Sequence, residues 1–123
     1  MDLFDTLPIS AIVNNKFLCI HGGISQEIKN VQIFLSKLDS IKNLDRFKEV
    51  PRSGIACDLV WADPIDNATG AMDSIVKEND VRGCSYFFGY ELTKGFLTKN
   101  KLLSIIRAHE AQANGFKMYH WAG

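Results

Sequence analysis

Long apolar runs are missing from this sequence: stretches such as Phe17–Ile20 and Leu59–Ala62 stop at four residues, where a membrane-spanning helix needs about 20. No transmembrane helix is expected. Net charge is missing too, since 14 Lys and Arg offset 14 Asp and Glu and the sequence pI is near 6.8. That balance lacks the broad positive field with which a protein attracts nucleic acid or an anionic membrane surface. The N-terminus has no basic flank leading into an apolar segment and carries Asp2 and Asp5 instead, so no secretory signal is expected and the cytoplasm is the expected location. Cysteine is scarce: Cys19, Cys57 and Cys84 form an odd set without the close pairs of a zinc ribbon or a disulfide framework. They read as reduced, small hydrophobes with apolar neighbours. Repeats, low-complexity tracts and Pro/Gly/Ser-rich linkers are absent, so residues 1–123 read as one unit.

What is present is a mixture of strand and helix patterns. Ser10–Val13 and Lys16–Ile20 are β-prone runs around Asn14-Asn15, a pair that tolerates the positive φ of a tight hairpin. The second run ends at His21-Gly22-Gly23, where two glycines permit a sharp turn or a close backbone approach. From Ser25 to Phe47 the apolar residues recur at spacings of three and four, which predicts one long or two short helices. Pro51, Gly54, Pro64 and Gly70 punctuate the middle, and the polar stretch Asp63–Asp80 is expected to be largely loop. Gly83–Gly89 reads as an aromatic strand, Glu91–Lys99 as a helix, and Leu102–Ala108 as a strand ending at His109. Asn114-Gly115 predicts a turn into a last short strand, Phe116–Trp121.

Two strand-then-histidine segments stand out, because active sites gather at strand ends and neutral imidazole is a common transition-metal ligand. A lone strand-end histidine is nevertheless more often a hydrogen-bonded structural residue. Likewise Arg82 offers a planar fork for a phosphate, and a solvated surface charge is the bland alternative. Residue types and spacing alone leave both pairs of readings open.

Taken together, Phe4-Asp5-Thr6-Leu7-Pro8, Phe17-Leu18-Cys19-Ile20-His21-Gly22-Gly23-Ile24-Ser25, Leu44-Asp45-Arg46-Phe47, Cys57-Asp58-Leu59-Val60-Trp61-Ala62-Asp63-Pro64 and Arg107-Ala108-His109-Glu110 resemble the serine/threonine phosphoprotein phosphatases. Val81–Phe87 and Leu102–Gln112 most resemble the calcineurin catalytic chain. Ordered motifs covering nearly the whole chain are far more specific than any one of them. The resemblance implies an α/β fold, a metallophosphatase β-sandwich of mixed sheets flanked by helices, and hydrolysis of phosphoserine and phosphothreonine by a water activated between two metal ions, iron with zinc or manganese. It implies that His21 and His109 ligate the second metal, that Arg82 grips the substrate phosphate, and that Trp61 and Asp63 line the groove, with Ala62 where the family has serine. It further implies phosphoprotein substrates and, for a complete calcineurin-like protein, a calcium-sensing regulatory subunit and calmodulin.

The family's upstream motifs Gly-Asp-x-His-Gly, Gly-Asp-x-x-Asp-Arg-Gly and Gly-Asn-His-Glu do not occur here. They carry the remaining metal ligands, a second phosphate-binding arginine and the general-acid histidine. The chain is therefore expected to represent the C-terminal half of a catalytic domain, to contain no general acid, and to be inactive alone. The segment between Ile28 and Leu44 is longer than its counterpart in calcineurin. The alternative reading is a catalytically dead phosphatase-like protein that binds a partner through the retained surface.

Overall fold

The computed structural model describes residues 3–26, 49–66 and 76–120. After a 3-10 turn at Leu3–Thr6, strands β1 (Ser10–Val13) and β2 (Phe17–Ile20) pair antiparallel, Ser10 opposite Ile20 and Val13 opposite Phe17. Asn14 and Asn15 both take φ 51°, the left-handed conformation at both central positions of a type I′ turn, and with Val13 opposite Phe17 the connection is three residues long, Lys16 completing it. Lys16 N–H closes the turn on the Val13 carbonyl at 3.0 Å. Helix α1 (Ile55–Trp61) follows, then β3 (Asp63–Pro64), β4 (Val76–Glu78), β5 (Tyr86–Phe88), helix α2 (Tyr90–Asn100) and β6 (Ser104–Arg107).

The strands form two mixed three-stranded sheets, ordered β1-β2-β6 and β3-β5-β4. In each, one neighbour runs parallel to the central strand and the other antiparallel. Period-two alternation turns Leu18 and Ile20 of one sheet, and Tyr86 and Phe88 of the other, into a shared core with Ile24, Leu59, Ala62, Phe96 and Leu102. The Tyr86 hydroxyl donates to the Ile24 carbonyl and so ties β5 to the loop after β2. This is the mixed α/β sandwich with helices that the sequence implied. Cys19, Cys57 and Cys84 are free, and burial with the neighbouring Cys84 pushes the Cys57 thiol up to about 11, which keeps it protonated and inert.

Two expectations need correction. Asp63–Asp80, expected to be largely loop, also contains the short β3 and β4, while its residues 67–75 lie outside the described residues. Strands of two and three residues are too short to show a period, and Pro64 fits β3 because that strand is an edge, where no ladder N–H is required. Residues 116–120 are not a strand. They are held instead by side chains: His120 bonds the Thr93 hydroxyl at 2.8 Å and the Ile65 carbonyl at 3.0 Å, and Lys117 bonds Asp66 at 2.5 Å. The helices expected over Ser25–Phe47 fall almost wholly on residues 27–48, outside the described residues. Among the described residues, no helix is long and apolar enough to cross a membrane.

Candidate metal centre

β2 and β6 lie side by side in parallel, with Ile20 opposite Arg107, so the residues that follow each strand emerge at the same sheet edge. Ala108 N–H still donates to the His21 carbonyl at 3.1 Å, which extends the pairing one step past the strands. His109 then adopts φ 63°, a left-handed conformation uncommon outside glycine. As a result His21 Nε2 and His109 Nδ1 face each other at 3.0 Å, although 88 residues separate them in sequence. The rings meet edge to face, with centroids 4.8 Å apart.

The loop carrying His21 is pressed onto α1. Gly22 N–H donates to Leu59 O at 2.7 Å and Gly23 N–H to Asp58 O at 3.3 Å. A Cβ on Gly22 would lie 2.5 Å from the Val60 carbonyl carbon, and one on Gly23 would lie 2.2 Å from Phe88 Cε1. Both glycines are therefore required for close approach, as their position after the strand predicts. The buried Asp58 carboxylate fastens the same loop, accepting from Ser25 Oγ at 2.5 Å and from Ser85 Oγ at 2.8 Å.

Behind the histidines stands Asp63, only 3% exposed. Its Oδ2 accepts from Arg82 Nε and from Asn79 Nδ2, each at 3.0 Å, and its Oδ1 accepts from Arg107 at 2.8 Å. Burial alone would raise its pKa, but the hydrogen bonds from Arg82 and Asn79 and the charges of Arg82 and Arg107 outweigh it and hold the carboxyl below its ordinary value. Arg82 is oriented from two sides. Its backbone N–H donates to Asn79 Oδ1 at 3.1 Å, and its Nε–Asp63 bond leaves the terminal guanidinium nitrogens for a ligand. Trp61, at the end of α1, sets its ring edge to face with His109 at 5.5 Å.

The structure thus brings together His21, His109, Trp61, Asp63 and Arg82. Asp63, expected to line the groove, is a buried ionic hub crowded by Arg82, Asn79, Arg107 and His109. Asn79 and Arg107 were not singled out by the sequence. The available signal for Arg107 was the alternation of its strand, which puts it on the same side as Ile105, where a charge needs a partner.

The two facing nitrogens fit a shared metal ion. Ligand nitrogens sit about 2 Å from zinc, so two of them on one ion stand roughly 3 Å apart, as these do. Burial, and the charge of Arg82 after it, lower the His109 pKa, which preserves the neutral imidazole that a ligand must be. Its Nε2 is buried with no hydrogen-bond partner, 3.8 Å from Asp63 Oδ1. That carboxylate favours the tautomer with the proton on Nε2 and leaves Nδ1 as the acceptor toward His21. Among the described residues no group of three or more His, Cys, Asp and Glu side chains is placed to hold a metal, so these two imidazoles alone would leave the coordination of a metal incomplete.

The chain is 42% identical to the serine/threonine-protein phosphatase 2B catalytic subunit A1 of Saccharomyces cerevisiae, over 94% of its own length and 21% of that protein's. It is 40% identical to subunit A2 of the same organism, over 94% of its length and 22% of that protein's. It therefore spans about a fifth of these curated relatives. Among solved structures it is similar to a Saccharomyces cerevisiae protein serine/threonine phosphatase with similarity to human phosphatase PP5, at TM-score 0.65 and 32% identity, over 89% of this chain and 30% of that one. Residues 1–113 match the calcineurin-like phosphoesterase family, and the chain belongs to that family.

Proposed function

We propose that this chain is part of a metal-dependent protein serine/threonine phosphatase, in which His21 and His109 ligate one metal ion and Arg82 binds the substrate phosphate. The observation that carries the reading is the 3.0 Å approach of His21 Nε2 to His109 Nδ1, beside an arginine oriented by Asp63 and Asn79. Bound metal ions in such a site polarise the phosphoryl oxygens and lower the pKa of a coordinated water. Iron with zinc, or manganese, is the metal content proposed for the complete domain. The chain's own residues supply imidazole lone pairs, a guanidinium fork for the equatorial phosphate oxygens, and the Asp63 carboxylate that aims that fork. Trp61 packs beside the His109 ring and limits its rotation.

No general acid is assigned within this chain, and two imidazoles do not complete a metal shell, so turnover requires the motifs absent from the sequence. Phosphoproteins are the proposed substrates. A calcium-sensing regulatory subunit and calmodulin are the proposed partners of a complete protein, on the strength of the similarity to phosphatase 2B catalytic subunits. The test is hydrolysis of a phosphoserine peptide by the 123-residue chain and by the same chain joined to a segment bearing the three absent motifs. The first should be inactive with added metal and the second active. Arg82→Ala in the joined protein should lower kcat by roughly a hundredfold or more, about 3 kcal/mol of transition-state stabilisation, with metals retained. His21→Ala and His109→Ala should each abolish turnover by losing metal. Robust turnover by the chain alone, or indifference of the joined protein to Arg82→Ala, would contradict the proposal, and a joined protein that binds a phosphatase partner without hydrolysis would support the binding-protein reading.

A further inference from the structure

Arg107 ends β6 on the core-facing side of the strand, and its side chain is only 12% exposed. A charge in that position must be paired, and this one is paired in three directions. Nε donates to the Gly22 carbonyl at 2.6 Å, one terminal nitrogen donates to Asp63 Oδ1 at 2.8 Å, and the other donates to Glu110. Gly22 immediately follows His21, Glu110 immediately follows His109, and Asp63 also holds Arg82. One planar group therefore touches the backbone of one histidine loop, a side chain of the other, and the carboxylate that orients the phosphate arginine.

We propose that Arg107 is a positioning residue: a strut, anchored on Asp63, that sets the spacing and ring orientation of His21 and His109 for a shared metal ion. The inference rests on the ligand reading given above. Strand pairing, carried one step further by Ala108 N–H to the His21 carbonyl, places the two backbones but does not by itself fix the turn at His109 or the orientation of either ring. The left-handed turn at His109 needs neighbours that over-determine it. Glu110 bound to Arg107 closes that turn, because the partners are only three residues apart, while the Gly22 bond clamps the opposing loop. Lysine cannot replace the fork, since a single ammonium on a flexible stem does not present fixed donors to three partners at these positions.

The experiment uses the 123-residue chain with Co(II) alone as probe, comparing wild type with Arg107→Lys, Asp63→Asn, Glu110→Gln, His21→Ala and His109→Ala. Far-UV circular dichroism checks the fold of each. Two readings are taken: the Co(II) affinity, and the ring-nitrogen NMR shifts of the metal-free chain, which report tautomer and ring contact without any metal. Arg107→Lys should weaken Co(II) binding by roughly ten- to a hundredfold and move the His109 ring nitrogens from a single Nε2-protonated tautomer to an ordinary mixture. Asp63→Asn should shift both readings in the same direction, but Asp63 also faces His109 Nε2 directly, so Glu110→Gln, which weakens the Arg107 clamp on the turn at His109, should shift both readings too and decides the matter if Arg107→Lys does not fold. Wild-type affinity and wild-type ring shifts in a folded Arg107→Lys, Asp63→Asn or Glu110→Gln chain would overturn the strut. If His21→Ala and His109→Ala leave Co(II) affinity unchanged, the ligand reading fails instead, and the metal-free ring shifts still decide whether Arg107 sets the ring geometry.

Discussion

His21 Nε2 and His109 Nδ1 stand 3.0 Å apart at the ends of parallel neighbours, and neither ring is placed there by its own loop alone. The register Ile20 opposite Arg107 aligns the strand ends. The positive φ of His109 turns its ring back across the edge. Glycine at 22 and 23 lets the opposing loop sink onto α1. Each device is local, and the facing of the two rings is their joint product.

Gly22→Ala tests the close approach. Its Cβ would meet Val60 backbone at 2.5 Å, and backbone cannot swing aside as a side-chain tip can. Overpacking of this kind costs about 1–3 kcal/mol, and it should also displace His21. Gly95→Ala is the contrasting change: within α2 its Cβ would meet nothing within 4 Å, and helix propensity should add about 1 kcal/mol of stability. Urea unfolding of the two variants should move in opposite directions. Equal effects of the same sign would count against the packing described for Gly22.

Acid should destabilise the chain in two windows. Burial depresses the pKa of His120, with the Ile65 carbonyl opposing, and burial followed by the Arg82 charge depresses that of His109, each from 6.5. The unfolded chain therefore binds protons first, so the stability these groups contribute is complete above 6.5 and is lost as pH falls through their lower folded values. Asp63, held below 3.8, adds a second loss at still lower pH. The midpoint of urea unfolding should decline below about pH 6.5, near the unperturbed histidine value, and His120→Gln should make that decline shallower. A midpoint constant from pH 7 to 5 would contradict the buried, neutral histidines.

The hairpin was legible because Asn14-Asn15 carries its turn chemistry in the side chains, and α2 because its apolar spacing is helical. Both histidines stood out because His21 directly follows β2 and His109 comes two residues after β6. What could not be read was the wiring behind them. Asp63 gains its role from Arg82, Arg107 and Asn79, which are close in space and remote in sequence, and β3 exists only because β5 pairs with it. The stretch 116–120 misled for the same reason: Phe116 and Met118 look like strand residues, yet they are exposed, and His120 anchors the segment through Thr93 and Ile65.

Self-association of the isolated chain follows from the edge of the first sheet. Among the described residues β6 ends the order β1-β2-β6, and Leu103, just before it, and Ile106, within it, are 64% and 54% exposed. Exposed apolar residues on an edge strand favour pairing with another chain. Sedimentation velocity should show oligomers or aggregates at micromolar concentration, and Ile106→Lys should shift the distribution toward monomer. A wild-type chain that is monomeric with a sharp, reversible thermal transition would contradict this.

The central claim, that His21 and His109 share one metal ion, is tested most directly by X-ray absorption on the zinc-loaded 123-residue chain. The account predicts two imidazole nitrogens per zinc at about 2.0 Å, with oxygen completing the shell, and one imidazole after either His21→Ala or His109→Ala. Zinc surrounded by oxygen alone, or an imidazole count unchanged by both substitutions, would contradict it.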